Sequence, residues 1–235
     1  MKKNHPDQLT FWGHWEELQG RLLKCCLVVI ALACGVYPFS GPLVDILLRP
    51  AGGVVFTSPV DAFVARLAVV ITVSSLAASP FLIYQVWAFV RSGLKDIEKR
   101  HVSFFAPLSI VMFVLGAAFA YAMVIPVSLR FLLSFQTELM RPMITLNAYV
   151  SFLATMLLAF GIIFELPIVM MFLTKIGVAT PEFLVQKRKY AVLIILIVSA
   201  LITPPDCFTL FLLAVPLWVL YEAGIWFSRW TCPRE

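Results

Sequence analysis

Apolar positions along this 235-residue chain gather into long blocks, without the strict alternation of strands or the one-sided stripe of a surface helix. Blocks near 20 apolar residues are long enough to cross a bilayer as α-helices. Six stand out, at about residues 22–39, 62–90, 104–133, 149–173, 190–202 and 208–227. The pattern therefore predicts an all-α membrane protein: a single integral membrane domain of six transmembrane helices over residues 1–235. An outer-membrane barrel does not fit. Its strands alternate over about 10 residues, whereas Tyr190 to Val198 is apolar on every face. At about 1.5 Å per residue the second and third helices measure roughly 40 to 45 Å and the fifth only about 20 Å. Against a hydrocarbon core of about 30 Å, the long helices tilt, and the short fifth and sixth predict local thinning.

Two further features shape the expected bundle. Residues 9–21 read as an amphipathic helix lying in the inner headgroup layer. Leu9, Trp12, Trp15, Leu18 and Leu22 recur at helical spacing, Thr10 is a candidate N-cap, and Glu16, Glu17 and Arg21 are the polar positions. Most spans also carry an internal proline: Pro80, Pro126, Pro167 and Pro216. Each removes a backbone donor and strands the carbonyl four residues earlier, at Leu76, Ala122, Ile163 and Leu212. Bends of this kind predict a curved, concave bundle whose freed carbonyls need partners from neighbouring helices or water.

Composition supports this reading. With 61% hydrophobic and 13% charged residues and a mean hydropathy of +0.95, the chain cannot present a wettable exterior without lipid around it. The net charge of +5 is not a nucleic-acid footprint, because the basic residues flank the apolar blocks. Fourteen of the eighteen cations fall on one set of segments: Lys2, Lys3, Arg21 and Lys24; Arg91, Lys95, Lys99 and Arg100; Lys175, Lys187, Arg188 and Lys189; Arg229 and Arg234. The opposite set holds only Arg49, Arg66, Arg130 and Arg141. The positive-inside rule then predicts both termini in the cytoplasm. The five cysteines, Cys25, Cys26, Cys34, Cys207 and Cys232, show no C-x-x-C spacing and read as packing residues. The N-terminal stretch lacks a small-residue cleavage site, so the first block is expected to be retained.

Polar residues inside apolar sequence need a reason. Glu165 stands near the middle of the fourth block, where a carboxylate costs on the order of 3 kcal/mol to insert. It is either part of a polar pathway or docking point, or a neutral group hydrogen-bonded to a neighbouring helix. Gln85 and Glu222 lie nearer the ends of their blocks; Asp61 and Arg66 open the second, where a local ion pair or snorkelling suffices. Glu98 sits three residues from Lys95, the spacing of a helical ion pair. His5, His14 and His101 form no ligand cluster, and no phosphate loop, metalloprotease helix or nucleophile elbow is present. No enzyme activity, metal or cofactor is expected.

Seven segments in order resemble the TatC family, the multispanning receptor subunit of the twin-arginine protein translocase. His14-Trp15-Glu16-Glu17-Leu18-Gln19-Gly20-Arg21-Leu22 looks like its opening H-L-x-E-L-R-x-R-L, and Ser58-Pro59-Val60-Asp61-Ala62-Phe63 is similar to S-P-x-E-x-F. Ser79-Pro80 through Tyr84-Gln85-Val86-Trp87-Ala88-Phe89 resembles S-P-x-x-x-Y-Q-x-W-x-F. Glu98-Lys99-Arg100, Phe160-Gly161 with Phe164-Glu165-Leu166-Pro167, Lys187-Arg188-Lys189-Tyr190 and Thr203-Pro204-Pro205-Asp206 complete the series. Three positions depart: Gln19 replaces the family's first Arg, Trp15 its Leu, and Asp61 its Glu.

The resemblance implies a subunit of the bacterial cytoplasmic (inner) membrane that binds twin-arginine signal peptides of folded proteins at its cytoplasmic face. It also implies single-span TatA- and TatB-like partners, self-association and use of the proton-motive force. Signal-peptide binding falls on Glu17, Phe89 and Glu98, with Arg21, Lys99 and Arg100 beside them. Guanidiniums are met by carboxylates and aromatic faces. The resemblance further assigns Glu165, Gln85 and Thr203 to intramembrane contacts with partner helices, and Pro50, Asp61 and Asp206 to supporting loops. The competing function is a proton-coupled secondary transporter of a small solute, relaying protons through Glu165; the inverted-repeat symmetry it calls for is not evident in the sequence.

Overall fold

The computed structural model describes residues 11–51, 53–136, 143–203 and 206–231. Thr10 and Leu9, the Pro204-Pro205 pair, Lys2, Lys3, Arg141, Arg234, His5 and Cys232 lie outside the described residues. Among the described residues ten α-helices follow in order: α1 (Phe11–Val36), α2 (Ser40–Leu48), α3 (Pro59–Ser92), α4 (Asp96–Phe119), α5 (Ile125–Leu133), α6 (Leu146–Ile163), α7 (Leu166–Lys175), α8 (Pro181–Gln186), α9 (Arg188–Ile202) and α10 (Cys207–Thr231). Five helical stretches are long and apolar enough to cross a membrane: Trp12–Leu48, Pro59–Ser92, Glu98–Leu133, Leu146–Lys175 and Cys207–Thr231. The protein is an all-α, multi-span membrane protein.

Several expected boundaries shift. The amphipathic segment and the first span form one unbroken helix, α1, because no proline or αL residue interrupts residues 11–36. The sixth helix is not short. Asp206 caps α10 through the Thr209 backbone N–H at 2.7 Å, and the helix continues past Phe227 for 25 residues in all, about 38 Å. The fifth, α9, is as short as expected, at 15 residues or about 22 Å. The first loop contains α2, entered through a 3₁₀ turn at Tyr37–Phe39.

The prolines act in different ways. Pro80, Pro107 and Pro216 sit inside continuous helices, and Pro107 was not among the prolines singled out from the sequence. Ahead of Pro126 the chain widens into a π-turn, Ala120–Val124, where the Ile125 N–H donates to the Ala120 carbonyl five residues back. At Pro167 the helix breaks: α6 ends at Ile163, α7 starts at Leu166, and Glu165 occupies the junction.

α6 is the central helix. Its Tyr149, Leu153, Met156, Leu157 and Phe160 are buried against α3, the π-turn, α5 and α10. Close approach to α4 depends on small residues. A Cβ on Gly116 would stand 2.4 Å from the Phe160 carbonyl oxygen, and one on Gly161 would stand 2.7 Å from the Phe113 ring. A second cluster joins α3, α4 and α7 through Trp87, Phe105, Ile168 and Phe172. Trp87 stacks on Phe105, meets Phe172 edge-on at 4.8 Å between centroids, and donates its indole N–H to Ser109 at 2.9 Å. The motif tryptophan is thus a structural rivet.

Far from the basic segments, hydrogen bonds fasten α2 and the loops. Tyr121 and Tyr149 donate their hydroxyls to the Ile46 and Leu47 carbonyls, both at 2.9 Å. Val55 pairs with the segment before α6, donating to the Ile144 carbonyl at 2.9 Å and accepting from the Leu146 N–H at 2.8 Å. Pro50 lies in the 3₁₀ turn Arg49–Ala51 that ends α2. Ser58 N-caps α3, and the first-turn Asp61 accepts a hydrogen bond from the Thr57 hydroxyl. Of the two expectations for Asp61 and Arg66, a local ion pair or snorkelling, no ion pair between them forms among the described residues.

Candidate functional site

The first half of α1 packs along the last turns of α3, and this contact builds a polar patch at the basic end of the bundle. His14, Glu17 and Arg21 recur at i, i+3 and i+7, so one face of α1 carries all three. Arg21 donates from Nε and Nη2 to Glu17 Oε1, at 2.9 and 2.6 Å, and from Nη1 to Gln85 Oε1 at 2.9 Å. Gln85 is buried in α3. One guanidinium therefore sits between a carboxylate and an amide carbonyl. One turn further along α3, Phe89 meets the His14 ring edge-on at 6.4 Å, and the Ser92 hydroxyl donates to the Phe89 carbonyl.

Glu98 stands just beyond, in the first turn of α4. Its Oε2 accepts the Lys95 backbone N–H at 3.2 Å, so it caps the helix. No ion pair between its carboxylate and the Lys95 side chain forms among the described residues; the i, i+3 spacing is used through the backbone instead. Nor does Glu98 contact Glu17 among the described residues. Arg100 follows Glu98 by two residues, about 200° around the helix, and lines a different pocket with His101 and Lys175. Glu17, Arg21, Gln85 and Phe89 therefore come together, Glu98 follows across the turn between α3 and α4 with the Lys95 backbone as its partner, and Arg100 faces elsewhere. Lys99 lies between these two faces.

The second polar feature is the break in the fourth span. Glu165 lines a cavity of about 630 Å³ walled by Ile83, Trp87 and Val90 of α3, Leu158 and Ile162 of α6, and Phe172 of α7. Its Oε1 is buried and has no hydrogen-bond partner among the described residues. Gln85, expected in the same region, is instead held by Arg21 at the basic patch. A carboxyl group in an apolar cavity, with the Ser109 side chain as its one hydrogen-bond partner among the described residues, keeps Oε1 open to a further donor.

α9 and α10 form an antiparallel hairpin. Its open end is tied by Arg188 to Glu222 at 2.6 Å and by the Tyr221 hydroxyl to the Leu184 carbonyl at 2.7 Å. Lys187 and Lys189 lie over the Tyr190 ring. At the other end Asp206 caps α10, accepting both the backbone N–H and the hydroxyl of Thr209. The Thr203 hydroxyl donates back to the Ser199 carbonyl at 2.8 Å, so it terminates α9 rather than pointing outward. What α9 does present is apolar: Leu193, Ile194, Ile197 and Leu201, the last 81% exposed.

Sequence reasoning missed His14 as the partner of Phe89, although its helical register with Glu17 and Arg21 carried the signal. The tyrosine hydroxyls that fasten loops to helices left no such trace, because their acceptors are backbone carbonyls remote in sequence. Among the described residues no group of three or more His, Cys, Asp and Glu side chains is placed to hold a metal ion.

Comparison with known proteins agrees with this architecture. The family model for the Sec-independent protein translocase protein TatC matches residues 13–216. The TatC protein of Carboxydothermus hydrogenoformans is 35% identical over 232 residues, covering 97% of this chain and 96% of that relative. That of Escherichia coli K12 is 35% identical over 225 residues, covering 92% and 86%. A crystal structure of the twin arginine translocase receptor TatC superposes with a TM-score of 0.84 at 34% identity, over 93% of this chain and 99% of that one. The α1–α3 patch, the broken fourth span and the α9–α10 hairpin are thus features of a chain that belongs to the TatC family of Sec-independent protein translocase proteins, a multi-span membrane component of that translocase.

Proposed function

We propose that this chain receives the twin-arginine signal peptides of folded cargo at the cytoplasmic face of the bacterial inner membrane. The observation that carries this reading is the seat of Arg21. Glu17 and Gln85 hold a guanidinium by three hydrogen bonds at the membrane boundary, and an incoming arginine fits the same acceptors. Phe89 and His14 add an aromatic border, and Glu98 supplies a second carboxylate across the short turn after α3, with Lys99 beside it. Arg21 is then a placeholder that the signal peptide displaces.

Assembly with single-span TatA- and TatB-like partners, and with further copies of this chain, uses the other two features. The Glu165 oxygen without a partner suits a polar group on an inserted helix. The apolar face of α9 suits its hydrophobic side. The chain has six crossings with both termini cytoplasmic, and translocation draws on the proton-motive force, since no catalytic constellation stands out in the sequence. Pro50, Asp61 and Asp206 hold the loops that fix the helix ends.

The test is photo-crosslinking of a twin-arginine peptide to the assembled complex. Glu17→Ala and Glu98→Ala are expected to weaken the crosslink, and a peptide with both arginines changed to lysine to bind poorly. Normal crosslinking by the double variant would overturn the assigned roles. Export of a folded twin-arginine reporter, in cells whose own TatC is deleted and replaced by this chain, tests the function as a whole.

A further inference from the structure

A pocket of about 390 Å³ opens at the basic end, between the start of α4 and the ends of α7 and α10. Arg100 and His101 line it from α4 and Lys175 from the last turn of α7; Thr231, the last residue of α10, closes the rim. Phe104 and Phe105, one turn along α4, form an apolar floor. Arg100, His101, Phe104 and Phe105 share one face of the helix because they stand at i, i+1, i+4 and i+5. Among the described residues, neither Arg100 nor Lys175 has a carboxylate within ion-pair distance. Glu98, two residues away, is on the opposite side of α4 and is engaged by the Lys95 N–H.

Two cations and an imidazole, with no carboxylate within ion-pair distance of either cation among the described residues, describe a site for an anion. The floor narrows the choice. Phe104 is 64% exposed and begins the third apolar block, so the pocket runs from a charged rim straight onto lipid-facing surface. A soluble phosphate has no use for that floor, whereas a phospholipid places its phosphate at the rim and its acyl chains along the phenyl rings. We infer that this pocket is a binding site for an anionic phospholipid headgroup, held by Arg100 and Lys175. Such a lipid would clamp α4, α7 and α10 together at the membrane surface.

Native mass spectrometry of the full chain, delipidated in detergent and then offered equal phosphatidylglycerol and phosphatidylcholine, reads the site directly. Each cation near an anionic lipid contributes enough that Arg100→Gln with Lys175→Gln is expected to cut the ratio of phosphatidylglycerol to phosphatidylcholine adducts roughly tenfold or more. Lys189→Gln, a cation at the same end on a different helix, is expected to leave the ratio unchanged, and Arg100→Lys with Lys175→Arg to retain most of it. Unchanged phosphatidylcholine adducts in the Gln pair show that the lipid-facing surface is intact. An undiminished ratio in the Gln pair overturns the site, as does an equal loss with Lys189→Gln. Millimolar inorganic phosphate is expected not to displace the lipid; displacement would make this a soluble-anion site and overturn the lipid assignment.

Discussion

At the residue scale, Arg21 and Glu165 carry opposite situations. Arg21 is over-supplied: Glu17 and Gln85 share its guanidinium, and any arginine arriving at Glu17 must compete with it. Charge-assisted hydrogen bonds contribute about 1.5–3 kcal/mol each. Glu17→Gln is therefore expected to weaken a labelled twin-arginine peptide by roughly tenfold or more in fluorescence anisotropy on the purified chain. Arg21→Ala frees the carboxylate and is expected to raise peptide affinity a few-fold; a loss as large as that of Glu17→Gln would mean that Arg21 itself contacts the peptide. Glu165 is under-supplied, since its buried Oε1 meets no donor among the described residues. An unsatisfied buried acceptor costs about 1–3 kcal/mol, so Glu165→Leu is expected to raise the unfolding temperature in detergent while lowering co-purification of the single-span partners. A fall in both would make Glu165 a structural residue. Glu165 is conspicuous in the sequence as a charge in an apolar block, whereas Glu17, in an amphipathic segment, stands out only through the resemblance. Gln85 lies near the end of its block by depth, is assigned to partner-helix contacts by the resemblance, and is engaged by Arg21 of a helix remote in sequence.

At the scale of elements, apolar blocks located every long helix, and the disagreements came from features with no strong hydropathy signature. The α2 segment hides in the first loop, and the unbroken α1 ignores a change from amphipathic to fully apolar composition. Prolines announce a defect but not its form. Pro126 follows a π-turn, Pro167 a two-residue turn at Phe164 and Glu165 within one longer helical stretch, and Pro80 neither. Glycines divide the same way. Gly116 lies against the Phe160 backbone, which cannot yield cheaply, whereas Gly20 in α1 has open space where a Cβ would go. Gly116→Ala is expected to destabilise by about 1–3 kcal/mol through forced separation of α4 and α6. Gly20→Ala is expected to gain about 0.5–1 kcal/mol of helix stability. Thermal unfolding of the two variants in one detergent decides the matter, and equal shifts would mean that the α4–α6 approach is not tight.

At the scale of the whole molecule, the number of crossings turns on α9. Five helical stretches are long enough by themselves, and α9 at about 22 Å is not. Hydropathy and length therefore leave the sixth crossing open, but the hairpin constrains it. Arg188 at the start of α9 pairs with Glu222 of α10, while Thr203 and Asp206 end the hairpin on the other side. α9 consequently runs beside α10 only from Cys207 to about Glu222, and a bilayer thinned locally by several ångströms accommodates the shorter helix. Single cysteines in a background freed of native thiols test this with a membrane-impermeant reagent. Gly53 and Gly93 accept a side chain without a clash, the former near the outer-loop pairing of Val55 and the latter between α3 and α4. Gly53→Cys is expected to label in intact cells, and Gly93→Cys only after the inner membrane is permeabilised. Pro205→Cys, between α9 and α10 in sequence, then decides the count. Labelling like Gly53→Cys means that α9 crosses and the carboxyl terminus returns to the cytoplasm; labelling like Gly93→Cys would leave five crossings and put the end of α10 outside.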